Sequence, residues 1–177
     1  IKATQGKYTE SGYGPTASAT TANPHLSFSV STNSLSLGTL LAGSVVDAPS
    51  TVDVTFDTNA ASGGDIYING KNTGLYSAVA VSTITSATGD LSALSRGFGA
   101  QVTATGATSG TLIKVSPYNG ASNNIGLTDT TIRRIITASG PIVGGTGSII
   151  VKAKSASDDV AANDYTETIT LLASASF

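Results

Sequence analysis

The apolar residues of this chain fall at every second position in one short segment after another. Leu26, Phe28 and Val30 alternate with Ser27, Ser29 and Ser31, and Val52, Val54 and Phe56 alternate with Thr51, Asp53 and Thr55. A period of two puts the apolar set on one face of a β-strand and the hydroxyl-bearing set on the other. Leu35 and Leu37 repeat the pattern between Ser34 and Ser36, just before Gly38. Ile66 and Ile68 lead to Asn69-Gly70, a dipeptide suited to the positive φ angles of a tight hairpin turn. Further strands are predicted at Val79 and Val81, over Phe98, Ala100 and Val102, and within 112–115, 132–136 and 149–151. The last strand is the clearest: Tyr165, Ile169, Leu171, Ala173, Ala175 and Phe177 share a face, which Glu167 interrupts near its start. Clusters such as Ser62-Gly63-Gly64, Tyr118-Asn119-Gly120 and Gly144-Gly145 supply turns, and Leu91-Ser92-Ala93-Leu94-Ser95-Arg96 suggests one short helix.

Many short strands divided by turns predict an all-β fold, a single jelly-roll-like β-sandwich over residues 25–177. Its expected core is Leu26, Phe28, Val30, Val52, Val54, Phe56, Phe98, Val102, Ile149, Val151, Ile169 and Leu171. Residues 1–24 stand apart. The opening run Ile1-Lys2-Ala3-Thr4-Gln5-Gly6-Lys7-Tyr8-Thr9 reads as an extended arm with Ile1 and Ala3 on one side. Gly12, Gly14 and Pro15 break it, and a tract of small residues from Ala17 to Asn23 ends at Pro24, as in a linker.

Composition narrows the chemistry. The 177 residues include no Cys, Met or Trp, one His and only 11% charged residues. A thiolate metal site, a cysteine nucleophile and a disulfide framework are therefore excluded together. The net charge of −2 gives no basic field for nucleic acid or an anionic membrane. No apolar run approaches the ~18–20 residues of a membrane-spanning helix. A chain that begins at Ile1 and carries no oxidisable sulfur fits a mature, exported protein, held at its destination by protein contacts instead of a lipid anchor.

Candidate sites are few. His25 would need a carboxylate and a nucleophile converging on it to act in catalysis; as a residue opening a strand it reads as an edge histidine, and no Gly-x-Ser-x-Gly elbow occurs. Asp158-Asp159 with Asn163-Asp164 offers oxygen ligands for calcium, but without EF-hand spacing or its glycine it reads as a solvated loop before the last strand. Arg133-Arg134 reads as an exposed strand position beside a buried one, in preference to an anion site. The glycine-rich run 140–147 has no Lys-Ser/Thr after it and no helix to open, so it is not a phosphate loop. No catalytic residue, metal or cofactor is expected, and the chain is read as a non-enzyme.

The segments 26–40 and 52–63, with the ending Asn163-Asp164-Tyr165-Thr166-Glu167-Thr168-Ile169-Thr170-Leu171, resemble secreted surface β-sandwich proteins of bacteria. More distantly, a short arm followed by a sandwich is similar to camelysin-like biofilm fibre subunits and archaeal bundling pilins. That resemblance implies polymerisation in which the N-terminal strand of one subunit completes the sheet of its neighbour. The expected function is thus a structural subunit of an extracellular filament or pilus, at the cell surface, whose partner is a further copy of itself. Its donor arm would make contact through Ile1, Ala3, Gln5 and Tyr8. The alternative is a monomeric cell-surface adhesin or carbohydrate-binding module, with residues 1–24 as a tether.

Overall fold

The computed structural model describes residues 17–177, together with Thr4–Gln5, Thr9–Glu10 and Gly14. The described residues contain strands and no helix: β1 (Thr4–Gln5), β2 (Thr9–Glu10), β3 (Leu26–Val30), β4 (Val45–Asp47), β5 (Val52–Thr58), β6 (Gly64–Gly70), β7 (Gly74–Ser77), β8 (Ser82–Thr85), β9 (Gly89–Asp90), β10 (Gly97–Gly106), β11 (Ile113–Lys114), β12 (Asn124–Ile125), β13 (Arg133–Ala138), β14 (Ile142–Lys154) and β15 (Ile169–Ala175). The all-β expectation is met.

Two antiparallel sheets carry the fold. One runs β10-β14-β5-β3, with β4 pairing the far end of β14; the other runs β11-β13-β6-β15. Successive strands repeatedly cross from one sheet to the other, so the two sheets are tied together by many connections. The inward positions of β5 and β6 set the packing: Val54 and Phe56 from the first sheet meet Ile66 and Ile68 from the second, joined by Val102, Ile136 and Ile149. Both sheets therefore share one core, in a sandwich-like arrangement. A second, smaller core lies beyond it, where Leu75 and Ile84 of the β7–β8 hairpin pack against Phe98, Val151 and Ala153.

The glycine-rich run 140–147 is explained by packing. A Cβ on Gly145 would come within 2.3 Å of the Phe56 carbonyl oxygen, and Gly144, at φ +60°, donates its N–H to Asp57 Oδ1 at 2.5 Å. These residues bend β14 at the register shift between Ile142 and Gly145 and let it lie close against β5.

Several expectations change. Leu26 and Val30 are 40% and 41% exposed, because β3 is the outer strand of its sheet and only Phe28, at its middle, packs well into the core. Asn69-Gly70 forms no turn: both residues continue β6, opposite Thr170 and Ile169 of β15, and the chain reverses after them. Val79 and Val81 lie at the exposed tip of the β7–β8 hairpin. Residues 91–96 make turns and bends only; Lys154 Nζ donates to the carbonyls of Leu91 and Ser92, drawing them toward β14 and away from a helical ladder. The last strand spans Ile169–Ala175, with Tyr165 in the second core and Phe177 exposed.

Replacing Phe56 by Ala should cost about 3–5 kcal/mol, as for other buried Phe residues, whereas Leu26→Ala should cost about 1–2 kcal/mol. Urea unfolding of the two variants checks this, and equal costs would contradict the edge position of Leu26. Alkaline pH probes the core separately. Burial pushes the Tyr118 hydroxyl from 10.0 up to about 12 while it donates to the Leu127 carbonyl at 2.5 Å. With the folded value raised, its contribution is complete below the ordinary value and lost as pH climbs toward about 12. Tyr118→Phe should remove that part of the alkaline loss, read from urea midpoints across this range.

Candidate functional site

The twelve expected core residues do not all close into a packed interior. Val30, Val52, Ile169 and Leu171 are incompletely covered because they line a groove of about 1190 Å³. Its floor is made by the buried side chains of Ile68, Phe98, Ile149 and Val151, from both sheets. The two outer strands stand beside it. β3 is the free edge of one sheet and β15 the free edge of the other, and each pairs on one side only. The groove is open to solvent; of the edge strands, Val30 at the end of β3 and Ile169 and Leu171 of β15 line it, and its walls mix aliphatic groups with the hydroxyl, amide and carboxylate groups of residues 32–39 and 155–168.

Two irregular segments overlie the groove. The first, residues 32–42, links β3 to β4 and brings half-buried Leu35, Leu37 and Leu40 against the second core. The second, residues 155–168, is tied down by charge and hydrogen bonds. Arg96 Nη2 donates to both carboxylate oxygens of Asp158 at 2.6 Å, and its Nη1 pairs with Asp159. Asp159 also accepts the Ala156 N–H at 2.7 Å. Asp164 accepts from the Ser77 hydroxyl and from the Val79 N–H, fastening the loop to the β7–β8 hairpin. Tyr76 and Thr166 exchange backbone hydrogen bonds at 2.9 Å. Glu167, which interrupts the apolar alternation, turns its carboxylate to the N–H groups of Lys71 and Asn72 at 2.7 and 2.9 Å, capping the bend after β6.

The acidic residues of this loop are therefore engaged by Arg96 and by neighbouring hydroxyl and amide groups, and among the described residues no three His, Cys, Asp or Glu side chains gather as a metal would need. Arg133 pairs with Asp129, and Arg134 with Asp65 at 3.4 Å, so both arginines serve ion pairs beside the strands. His25 is exposed and is fixed through its backbone: its N–H donates to Asn59 Oδ1 at 2.8 Å and its carbonyl accepts the Thr58 hydroxyl at 2.9 Å.

Of the four donor-arm residues, Ile1, Ala3 and Tyr8 lie outside the described residues. Gln5 sits in β1, opposite Thr9 of β2, so this part of the segment pairs with itself and is not a single extended strand. Gly14 and residues 17–25 are exposed and carry no ladder, leading directly to the edge strand β3. The groove was not legible beforehand: alternation reports that a face is apolar, and says nothing about whether the opposite face is covered. No protein-family model, curated protein or solved structure matches this chain.

The tethers of the 155–168 loop have a definite acid response. The hydrogen bond from Arg96 holds the Asp158 carboxyl below its usual range, and the Ser77 hydroxyl does the same for Asp164. Depressed folded-state values mean that the tethers contribute fully above the ordinary carboxylate range, near pH 4, and release only as pH falls below it. Urea midpoints should be flat from neutral pH into mild acid and then drop. Arg96→Ala should weaken the acid-dependent part of that drop; an unchanged profile would show that the Arg96 pairs do not secure the loop.

Proposed function

We propose that this chain is the repeating subunit of an extracellular filament, in which the N-terminal segment of one subunit enters the groove of the next as an added β-strand. The observation that carries this reading is the groove of about 1190 Å³ reached by Val30 at the end of the edge strand β3 and by Ile169 and Leu171 of the edge strand β15. An inserted strand would gain main-chain hydrogen bonds from an edge and place alternate side chains on the groove floor. The segment leaves one subunit and fills a different surface on another, so the contact is head-to-tail and generates a ring or an open filament. The short pairing of Thr4–Gln5 with Thr9–Glu10 opens when the segment inserts, exchanging a two-rung ladder for a longer one. Low charge and small hydroxylated side chains on the outward strand faces suit close lateral packing of such filaments.

Deleting residues 1–11 should leave a folded monomer that no longer polymerises, seen as loss of filaments by negative-stain electron microscopy with an unchanged circular dichroism spectrum. Normal filaments from the truncated chain would overturn strand donation by this segment. The filament should withstand reductant, since the chain has no Cys, and also chelator, since the loop carboxylates are engaged by Arg96 and Ser77. Heat should release the donated strand only near the unfolding of the subunit, because its removal exposes the core.

A further inference from the structure

The chain holds two Asn-Gly pairs, and the fold treats them oppositely. Asn69-Gly70 lies inside β6, opposite Thr170 and Ile169 of β15, and the Gly70 N–H donates to the Asp129 carbonyl at 2.7 Å. Asn119-Gly120 lies in the turn that follows buried Tyr118; Asn119 is exposed, and the Gly120 N–H reaches the Pro117 carbonyl only at 3.4 Å. The same turn supports its surroundings. Gln101, 4% exposed, donates its Nε2 to the carbonyls of Gly120 at 2.6 Å and Ser122 at 3.3 Å. The Val102 N–H donates to the Tyr118 carbonyl at 2.8 Å, and Ala100 and Gly126 exchange backbone bonds at 3.1 and 2.8 Å. Residues 118–126 thus cover the outer side of β10, the strand at which its sheet ends.

We infer that Asn119 is a site of spontaneous deamidation, at which the fold carries a covalent mark of age that uncovers the β10 edge. The Gly120 amide nitrogen gives up its proton to solvent hydroxide and attacks the Asn119 side-chain carbonyl carbon; a C–N bond forms, ammonia leaves, and a five-membered succinimide results. Water then opens the ring at one carbonyl or the other, leaving aspartate or isoaspartate. One water is consumed and one ammonia released, with no oxidant or cofactor. Glycine favours the attack, because no Cβ crowds the nitrogen and a turn can rotate to bring it over the side chain. In β6 the same closure would require Gly70 to leave Asp129 and the strand to leave β15. Isoaspartate places one more carbon in the backbone before Gly120. That displaces the carbonyl held by Gln101 and leaves a buried amide without its partner. Residues 118–126 then loosen from β10, and an unpaired strand edge appears. None of these steps involves the groove or the N-terminal segment.

The test incubates the full chain in mildly alkaline buffer, folded and in parallel unfolded by guanidinium, and follows both Asn-Gly pairs by peptide mass spectrometry. In the folded chain Asn119 should convert at least about tenfold faster than Asn69, since Asn69 reacts only through local opening of β6. In the unfolded chain the two should convert at similar rates. No conversion at Asn119, equal conversion of the two pairs in the folded chain, or the same preference in the unfolded chain overturns the site. The isoaspartate form, separated by chromatography, is then compared with an Asn119→Asp variant, which gains the same charge on an ordinary backbone. Hydrogen exchange of the Val102 amide should be at least about tenfold faster in the isoaspartate form than in that variant. Equal exchange overturns the uncovering of β10. An Asn119→Gln variant, whose longer side chain closes no five-membered ring, should keep slow exchange at Val102 throughout the incubation; its loss there would overturn the mark as well.

Discussion

The ring of Phe56 lies against Gly64 of the opposite sheet, where a Cβ would come within 2.8 Å of its Cζ, while its own carbonyl faces Gly145 of β14 across a similarly short gap. This close approach of β5 to both neighbours sets the spacing of the whole body. Phe28 is placed opposite Phe56 by the β3–β5 register, and Gly64 begins β6, whose Ile66 and Ile68 complete the shared core. Glycine is required at these two positions because backbone occupies the space a Cβ would need, the Ser174 carbonyl oxygen at Gly64 and the Phe56 carbonyl oxygen at Gly145. Away from this cluster the sheets are less fully covered. The groove opens at the Val30 and Ile169 end, where the edge strands stop.

The period-two alternation made most of the sheet legible. Val54, Phe56, Phe98, Val102, Ile149 and Val151 are buried as their spacing demands. What alternation could not convey was coverage. Leu26 and Val30 follow the same rule as Phe56 but sit on an outer strand, and residues 34–37 follow it without a ladder at all. Asn69-Gly70 failed as a turn signal because a local preference for positive φ is weaker than a long-range ladder: the β15 register keeps both residues extended. The groove is a relation between elements distant in sequence, so no local motif announced it.

The few charges of the chain are spent on holding irregular segments in place. Arg96 fastens the 155–168 loop, Glu167 caps the bend after β6, and Lys152 Nζ reaches Asp47 Oδ2 at 2.8 Å where β4 joins β14. Buried Lys154 satisfies two loop carbonyls, and Gln101 donates to the Gly120 carbonyl at 2.6 Å. Loops that lack ladder bonds need such partners for their polar groups. Residues 33–41 stand out against them, since side-chain burial of Leu35, Leu37 and Leu40 is their main attachment between Ser31 and Gly43.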